Sequence, residues 1–292
     1  MLKQVTTKLK ANKLVRFISW PILILVRLYY KYKNRRIKFY TDLFTNVKEG
    51  SVVVEINDLP GAYEIDIRSH ILQRVLLDKS YEPEIISLVK KNLVRDKDVI
   101  NIGANVGIFT IFLADLINND RKVLAVEPTP VAFGYLVNNI KRNNLNSKVV
   151  LYNGICSDSA GEYNLNTIRG KEEYSSIGES TYMTNIDENI VKIDVEGETV
   201  NNLVSNFNLN PGMILIDVEG AEMKVLNGAS EILEKYKPII ISELNDGLLI
   251  KQGSSSAEVI DFLLKFDYDI KDTESNQQVK FPFNGNIIAT PR

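Results

Sequence analysis

Cysteine, histidine and tryptophan each occur only once in the 292 residues, as Cys156, His70 and Trp20. A single cysteine excludes an intramolecular disulfide and a structural zinc site built from cysteines. Because there is one histidine, a Ser-His-Asp or Cys-His mechanism could only run through His70. These counts fit a reducing compartment, and we predict a cytoplasmic location.

Long apolar runs are also missing, and the first 41 residues contain no acidic side chain. The longest uncharged stretch near the N-terminus, residues 17–26, is half of the roughly 20 residues that a membrane-spanning helix needs. Eleven of the 35 basic residues precede Asp42, the first of the 37 acidic ones, so residues 1–45 form a basic arm on an acidic body. Such a body disfavours nucleic-acid binding.

The arm has two interpretations. Residues 13–38 combine apolar side chains such as Trp20 with flanking cations, which predicts peripheral contact with anionic lipid at the cytoplasmic face of a membrane. Alternatively, the segment is a helix that packs on the body or on a second subunit. The oligomeric state stays open, since no coiled-coil pattern is present.

The rest of the chain alternates strands with helices, which predicts βαβ units and a mostly parallel sheet. We predict strands and a helix in a lead-in segment, residues 46–95, and a ligand-binding domain over residues 96–292. Predicted strands of that domain are 99–102, 122–126, 149–156, 213–218, 239–244, 268–271 and 287–290, and predicted helices are 108–117, 131–142, 221–236 and 257–266. The polar segment 161–189 is interpreted as a substrate lid or a solvated insertion.

The first βα turn reads VINIGANVGIFT, residues 99–110. Gly103 lets the chain turn off the strand, and Gly107 lets a helix begin close to a ligand. The spacing lacks the G-x-G-x-x-G of a dinucleotide site and the Lys-Ser/Thr of a P-loop.

Acidic residues follow several of the predicted strands. Glu127 ends the second strand, where a carboxylate can accept both ribose hydroxyls of a nucleoside. Ser157 and Asp158 follow the third strand and are either adenine contacts or a polar turn. Asp217 and Glu219 follow the fourth strand and fall on one side by strand alternation, while Glu222 reads as a helix-capping acid. Glu243 joins the same rim.

Together these stretches resemble the FkbM family of methyltransferases that use S-adenosylmethionine (SAM). The matching pieces are YEPE (81–84), INIGANVGIFT (100–110), AVEPTP (125–130), KVVLYNGICSD (148–158) and IDVEGAEMKVLNGA (216–229). The resemblance implies a seven-stranded Rossmann-like α/β sheet with helices on both faces, and SAM as cofactor with S-adenosylhomocysteine (SAH) as product. The cofactor-binding residues it implies are Tyr81, Glu82, Asn101, Gly103, Ala104, Asn105, Gly107, Thr110, Glu127, Pro128, Ser157, Asp158 and Asp217.

One position departs from the family pattern. The family usually has aspartate where this chain has Asn101, and that aspartate commonly helps to hold the amino group of SAM. A neutral amide makes a weaker hydrogen bond than a carboxylate, so we expect weaker cofactor binding rather than its loss.

The resemblance implies methylation of a hydroxyl oxygen on a polyketide, a sugar, a cell-surface glycan or a related small molecule. The basic, apolar arm favours a lipid-linked sugar or a growing surface glycan among these. For the proton of that hydroxyl we predict Asp217 or Glu219 as the acceptor or orienting group, with His70 as an alternative base. A metal at Asp217 and Glu219 is not favoured. The competing hypotheses are a non-catalytic SAM-binding scaffold or sensor and an NAD-dependent oxidoreductase.

Overall fold

The structure is a computed structural model, and it describes residues 28, 29, 31, 32, 35, 49–168, 173, 175–177 and 190–292. Most of the basic arm, and with it the predicted membrane contact of residues 13–38, lies outside this range. No helix within the described part of the chain is long and apolar enough to cross a membrane.

The described chain forms two sheets and a hairpin, together with nine helices. The strands are β1 (Ser51–Val54), β2 (Tyr63–Asp66), β3 (Asp98–Ile102), β4 (Val123–Val126), β5 (Val149–Tyr152), β6 (Ile155–Cys156), β7 (Gly161–Ile168), β8 (Ser176–Ile177), β9 (Ile190–Glu198), β10 (Pro211–Ile216), β11 (Ile239–Asn245), β12 (Tyr268–Asp272) and β13 (Asn284–Pro291). The helices are α1 (His70–Asp78), α2 (Pro83–Asn92), α3 (Ile108–Leu116), α4 (Pro130–Arg142), α5 (Val200–Asn206), α6 (Glu222–Asn227), α7 (Ser230–Lys235), α8 (Asp246–Lys251) and α9 (Ser256–Lys265).

The main sheet has seven strands in the order β12-β13-β11-β10-β3-β4-β5. All neighbours pair in parallel except β13, which is antiparallel to both β11 and β12. This confirms the predicted seven-stranded Rossmann-like sheet. The strand order reverses beside β3, since β4 lies on one side of it and β10 on the other, and ligands of such sheets bind at the carboxyl ends of the strands around this point.

The sheet is buried on both faces, as the near-continuous apolar strands require. All five residues of β3 are buried. Alternate residues of this strand enter different cores: Val99 packs with α2, α3, α4 and the lead-in segment, whereas Ile100 packs with the helices α5 to α9. The helix predicted in the lead-in segment is confirmed as α2, which begins at Pro83, while α1 was not predicted.

A buried asparagine on α4 ties the lead-in hairpin to the glycine turn. The fully buried Asn139 accepts a hydrogen bond from the Glu64 N–H (2.6 Å) and donates to the carbonyls of Glu64 (2.9 Å) and Val106 (2.8 Å). Its amide therefore satisfies two backbone groups of β2 and one of the turn that opens α3.

Replacing Asn139 by alanine should destabilise the fold by about 2–4 kcal/mol, because three backbone polar groups lose their partner inside the protein. Urea unfolding of Asn139→Ala and of the exposed neighbour Asn138→Ala measures the difference. Equal unfolding free energies for the two variants would contradict this role.

Two predictions about the region 149–198 are corrected. The predicted strand 149–156 is two strands in different sheets, because the chain leaves the main sheet at Gly154, where a Cβ atom would lie 2.5 Å from the Glu196 carbonyl oxygen. The small sheet has the order β6-β9-β7-β8. The polar segment 161–189, predicted as a lid or a solvated insertion without regular structure, begins instead as strand β7, which pairs antiparallel with β9 from Gly161 to Ile168. Most of its remainder lies outside the described residues, so the choice between lid and insertion stays a prediction.

The predicted single helix over 221–236 is wrong as well, because it divides into α6 and α7. A Cβ atom at Gly228 would lie 2.0 Å from the backbone oxygen of Ser157, so the chain approaches its neighbour at this point too closely for any other residue. The Gly228 carbonyl accepts a hydrogen bond from the Asn201 N–H (3.0 Å).

Candidate functional site

A deep cleft opens at the carboxyl ends of the central strands, and we call it the main cleft. Its empty space, including open solvent at the mouth, is about 1240 Å³. The predicted residues that line it are Tyr81, Glu82, Asn101, Gly103, Ala104, Asn105, Glu127, Pro128, Asp217 and Glu219.

The glycine turn after β3 forms the floor of the main cleft. Gly103 has φ +83°, and its backbone passes so close to the end of β10 that a Cβ atom would lie 1.9 Å from the Asp217 carbonyl oxygen. Asn105, at φ 48°, donates its backbone N–H to Glu127 Oε2 (2.9 Å). The turn thus joins the ends of β3, β4 and β10, and α3 begins at its far side.

One end of the Asn101 side-chain amide is hydrogen-bonded within the protein. The residue is buried at the end of β3, and Nδ2 donates to the hydroxyl of the fully buried Thr110 (2.9 Å). The carbonyl oxygen Oδ1 is therefore the end that a ligand in the cleft can use as an acceptor. Thr110 itself does not line the cleft and acts behind Asn101.

Glu127 is a buried carboxylate at the end of β4, as its position in the sequence predicted. Its Oε2 accepts the hydrogen bond from the Asn105 N–H. Its Oε1 accepts hydrogen bonds from the backbone N–H of Thr129 (2.9 Å) and from the Thr129 hydroxyl (2.5 Å). These bonds fix the orientation of the carboxylate against the cleft wall.

Asp217 lines the polar end of the main cleft. Its side chain is reached by water from the cleft but lies deep among protein atoms. Desolvation therefore raises the pKa of Asp217 well above the ordinary aspartate range, and the carboxylates of Glu82 and Glu243 raise it further. Strand β10 ends at Ile216, so the turn at Gly220 (φ +88°), rather than strand alternation, brings Glu219 to the same wall.

The lead-in segment supplies the opposite wall. Tyr81 is buried and packs against Phe109 of α3 at a centroid distance of 5.7 Å, and burial raises the pKa of its phenol. The guanidinium of Arg74 lies 5.3 Å above the Tyr81 ring and forms an ion pair with Glu82 (3.1 Å). Glu82 has φ 44° and precedes α2 directly, so the α1–α2 connection delivers both Tyr81 and Glu82 to the cleft.

A second cavity adjoins the main cleft, and we call it the side cavity. Its empty space, including open solvent at the mouth, is about 810 Å³. Tyr81, Glu82, Asp217, Glu219 and Glu243 border both spaces. Residues that border the side cavity alone include His70, Arg74, Glu222, Asn245 and Leu248.

The structure places His70 on the same cavity as Asp217 and Glu219, although it is distant from them in sequence. The backbone N–H of His70 donates to Glu173 Oε1 (2.7 Å), and the hydroxyl of Ser69, which caps α1, lies 3.4 Å from both Glu173 carboxylate oxygens. Glu173 therefore connects the polar insertion to the start of α1.

Four predicted cofactor-binding residues do not line either cavity. Gly107 and Thr110 lie at the start of α3, outside both cavities. Ser157 is buried, and its N–H donates a hydrogen bond to the Glu198 carbonyl (3.0 Å). Asp158 is exposed to solvent outside both cavities. The adenine-contact prediction for Ser157 and Asp158 gains no support, because β6 leaves the main sheet. Ile155 and Cys156 line the cleft instead.

Several lining residues were not predicted from the sequence. They include Phe109, Ile155, Cys156, Leu165, Glu173 and Ser175. Phe109 belongs to the glycine-turn motif and could have been found from it, whereas no local pattern points to Glu173. Within the described ranges, no group of three or more histidine, cysteine, aspartate or glutamate residues is placed to hold a metal ion.

Comparison with known proteins identifies the family. A family model described as the methyltransferase FkbM domain matches residues 101–270, more than half of the chain. Methyltransferase sdnD of Sordaria araneosa is 26% identical over 195 residues, which cover 56% of this chain and 75% of that protein.

Two solved structures are also similar. The methyltransferase FkbM from Methylobacillus flagellatus KT aligns with a TM-score of 0.45 and 14% identity over 75% of this chain and 52% of that one, so this chain spans about half of its length. The O-methyltransferase from Bacillus cereus in complex with SAH aligns with a TM-score of 0.40 and 15% identity, covering 76% and 89% of the two chains.

The matched range begins at Asn101 and includes the glycine turn, Glu127, Asp217 and Glu219. The cleft is thus built largely from the part of the sequence that carries the family match. The chain is a methyltransferase and belongs to the FkbM methyltransferase family.

Proposed function

We propose that this methyltransferase binds SAM in the main cleft and methylates a hydroxyl oxygen of a sugar, on a cell-surface glycan or a lipid-linked precursor. The observation that carries the proposal is the convergence of Asn101, the glycine turn and Glu127 on one cleft, with Asp217 at its polar end. A nucleoside cofactor and an acceptor can therefore meet at Asp217.

The residues of the main cleft fit SAM. A cofactor carboxylate or ribose needs close approach to the backbone, and at Gly103 any larger side chain would collide with the end of β10. Asn101 Oδ1 would accept a hydrogen bond from the amino group, and Glu127 would accept bonds from the ribose hydroxyls. The apolar side chains of Ile155, Cys156 and Leu165 would cover the adenine end.

When bound, SAM supplies an electrophilic methyl group on a sulfonium centre. The protein must then align the acceptor oxygen with that methyl group, exclude water and remove the hydroxyl proton. We assign the proton to the Asp217 carboxylate, whose raised pKa makes it a stronger base than an ordinary aspartate once it is ionised. Glu219 and His70 border the same space and would orient the acceptor.

The charge distribution of the sequence supports a site of action at a membrane. A basic arm with apolar residues between 13 and 38 would hold the enzyme at the cytoplasmic face of a membrane, close to lipid-linked sugars. The acidic remainder of the chain, with 24 basic and 37 acidic residues, supports an acceptor other than nucleic acid.

The function is tested with SAM that carries a labelled methyl group, incubated with the purified protein and a fractionated host extract. We expect label in the glycan or lipid-linked fraction. Glu127→Ala should weaken SAM binding tenfold or more, since it removes charge-assisted hydrogen bonds, and should abolish labelling at low SAM concentration. The matched control is Glu231→Ala, an exposed glutamate on α7.

Three outcomes separate the alternatives. Label in a protein or nucleic-acid fraction would overturn the glycan assignment. SAM binding without label in any fraction would favour the scaffold or sensor hypothesis, for which Asn101 in place of the usual aspartate is the motivating residue. Unchanged SAM affinity of Glu127→Ala would show that the cofactor does not bind in the main cleft. The family match leaves the NAD-dependent oxidoreductase hypothesis without support.

A further inference from the structure

Four polar residues form a row along one edge of the main sheet and line the main cleft. Asn101, Asp217 and Glu243 lie at the carboxyl ends of β3, β10 and β11, and Asn286 lies near the start of the antiparallel strand β13. The proposed function uses Asn101 and Asp217. It assigns no ligand to the side chains of Glu243 and Asn286, which occupy the far end of the row.

Glu243 and Asn286 are a directly opposed cross-strand pair, which we call the Glu243–Asn286 pair. Side chains that face each other across two strands project from the same side of the sheet. Ile241 and Ile288, each two residues away in its own strand, pack in the core on the side of the lead-in segment. Because residues two apart in a strand share a face, the Glu243–Asn286 pair projects on the lead-in side as well, and both residues line the cleft there.

Asp217 is the neighbour of this pair on the adjacent strand. Leu215 pairs with Ile241, and the Asp217 N–H donates to the Ile102 carbonyl (3.0 Å), so the parallel ladder continues to Asp217. Asp217 and Glu243 each lie two residues beyond the paired residues of their strands, and therefore lie side by side. Neighbouring strands are about 5 Å apart, which puts the backbones of β11 and β13 about 5 Å and 10 Å from that of Asp217.

The pair lies on the acceptor side of Asp217. In the proposed function the cofactor contacts Asn101 at the end of β3 and Glu127 after β4, and both strands lie on the other side of β10 from β11 and β13. A molecule that meets the cofactor at Asp217 and extends away from it therefore passes over β11 and β13, where the Glu243–Asn286 pair is the next polar contact.

Both side chains of the pair are open to a ligand. Neither the amide of Asn286 nor the carboxylate of Glu243 has a hydrogen bond or an ion pair within the part of the chain that the structure describes. A carboxylate accepts hydrogen bonds, whereas an amide both donates and accepts them, so together they match adjacent hydroxyl groups. A phosphate or a uronate would be repelled by Glu243, and an apolar chain would leave both groups unpaired.

Building on the proposed function, we infer that the Glu243–Asn286 pair is a sugar-binding subsite, which binds two adjacent hydroxyls of a neutral sugar unit and so places the hydroxyl to be methylated at Asp217. Glu243 accepts a hydrogen bond from one of the two hydroxyls, and the Asn286 amide donates to the other. The subsite selects neutral glycans with adjacent hydroxyls and disfavours anionic ones.

Defined oligosaccharides of matched length test the inference. The probes are tetramers of glucose, galactose and mannose with adjacent hydroxyls on every ring, a periodate-oxidised copy of each, in which the bond between the carbons that carry these hydroxyls is cleaved, and a galacturonate tetramer. Their affinities are measured by calorimetry on the whole protein, with and without saturating SAH. We expect at least one neutral tetramer to bind about tenfold more tightly than its oxidised copy, and the galacturonate tetramer to bind more weakly than that neutral tetramer.

Asn286→Ala removes the donor of the pair. It should weaken binding of the preferred neutral tetramer about tenfold and leave SAH affinity unchanged, because the residue lies on the acceptor side of Asp217. Asn138→Ala, an exposed asparagine on α4, is the matched control. If Asn286→Ala fails to fold, Glu243→Gln at an exposed position gives a second test, since the loss of the charge-assisted bond should weaken the same tetramer about threefold or more.

The inference is overturned if no neutral tetramer binds more tightly than its oxidised copy, or if the preferred tetramer binds a folded Asn286→Ala as tightly as the wild-type protein. Failure of SAH to bind would count against the proposed function instead, and the measurements without SAH still decide whether the pair binds a sugar. The two failures are therefore distinguishable.

Discussion

Replacing Asp217 by asparagine should lower kcat by about 10²- to 10⁴-fold, the range that a positioned general base contributes. The amide has nearly the same shape, so the walls of both cavities remain in place, but it cannot accept the hydroxyl proton. The measurement is kcat at saturating labelled SAM and acceptor, which separates a loss of proton transfer from weaker binding.

The pH profile gives the same prediction an independent readout. Because burial and the neighbouring carboxylates of Glu82 and Glu243 raise the pKa of Asp217, its carboxylate is lost at a higher pH than an ordinary aspartate would lose it. Wild-type kcat should therefore fall as pH decreases through that raised pKa, and the residual activity of Asp217→Asn should lack this acid limb.

Asp261→Asn is the matched control, since Asp261 is an exposed aspartate on α9, remote from the cleft residues. Wild-type turnover in Asp217→Asn would refute the assignment. In that case Glu219→Gln and His70→Asn, which alter the other two predicted groups on the side cavity, identify the proton acceptor by the same assay.

The central strands were predictable because burial on both faces of the sheet requires a mostly apolar sequence. Strand β3 is buried on both faces, so its sequence is apolar apart from Asp98 and Asn101, which is typical of a central strand. Strand ends determine where a parallel sheet binds ligands, which is why Glu127 and Asp217 could be assigned to one cleft without coordinates.

The errors arose where a turn with close tertiary contacts interrupts a segment that was read as one strand or one helix. The run 149–156 contains the turn-forming dipeptide Asn153-Gly154, and the approach of Glu196 to Gly154 shows that the chain leaves the main sheet there and enters the second one. The break at Gly228 likewise depends on the backbone of Ser157. Both breaks fall at an Asn-Gly dipeptide, a local turn signal that the predictions passed over, whereas the partner segments of the two contacts are distant in sequence.

The side cavity was the least predictable part of the site. Its wall combines α1, the α1–α2 connection, the β10–α6 turn and the end of β11. Of these, the sequence predicted only that the ends of β10 and β11 share one rim. His70 was proposed because it is the only histidine, and its position beside Asp217 agrees with that proposal without testing its role. Glu173 had no signal, since its partners Ser69 and His70 lie about a hundred residues earlier.

Replacing Gly103 by alanine should have the largest effect on both the fold and the cofactor site. The alanine Cβ atom would lie 1.9 Å from the Asp217 carbonyl oxygen and 2.9 Å from its carbon, and both are backbone atoms that cannot rotate away. The φ of +83° adds strain for any L-residue. We expect the free energy of unfolding to fall by about 2–4 kcal/mol.

Function should suffer more than stability, because the collision can be relieved only by separating the glycine turn from the end of β10. These two segments carry Asn101 and Asp217, and a displacement of about 1 Å can cost roughly a hundredfold in rate. We therefore expect SAM affinity and kcat to fall together in Gly103→Ala, whereas Asp217→Asn lowers kcat at saturating SAM.

Gly134→Ala provides a control with the opposite sign. Gly134 lies within α4, and a Cβ atom there would meet nothing within 4 Å, so alanine should stabilise the helix by about 0.5–1 kcal/mol. Urea unfolding and SAM calorimetry on the two variants compare the same substitution in two environments. If Gly103→Ala folds and binds SAM with wild-type affinity, the glycine turn and the end of β10 can separate without weakening cofactor binding. That result would contradict a role for the glycine turn in binding SAM.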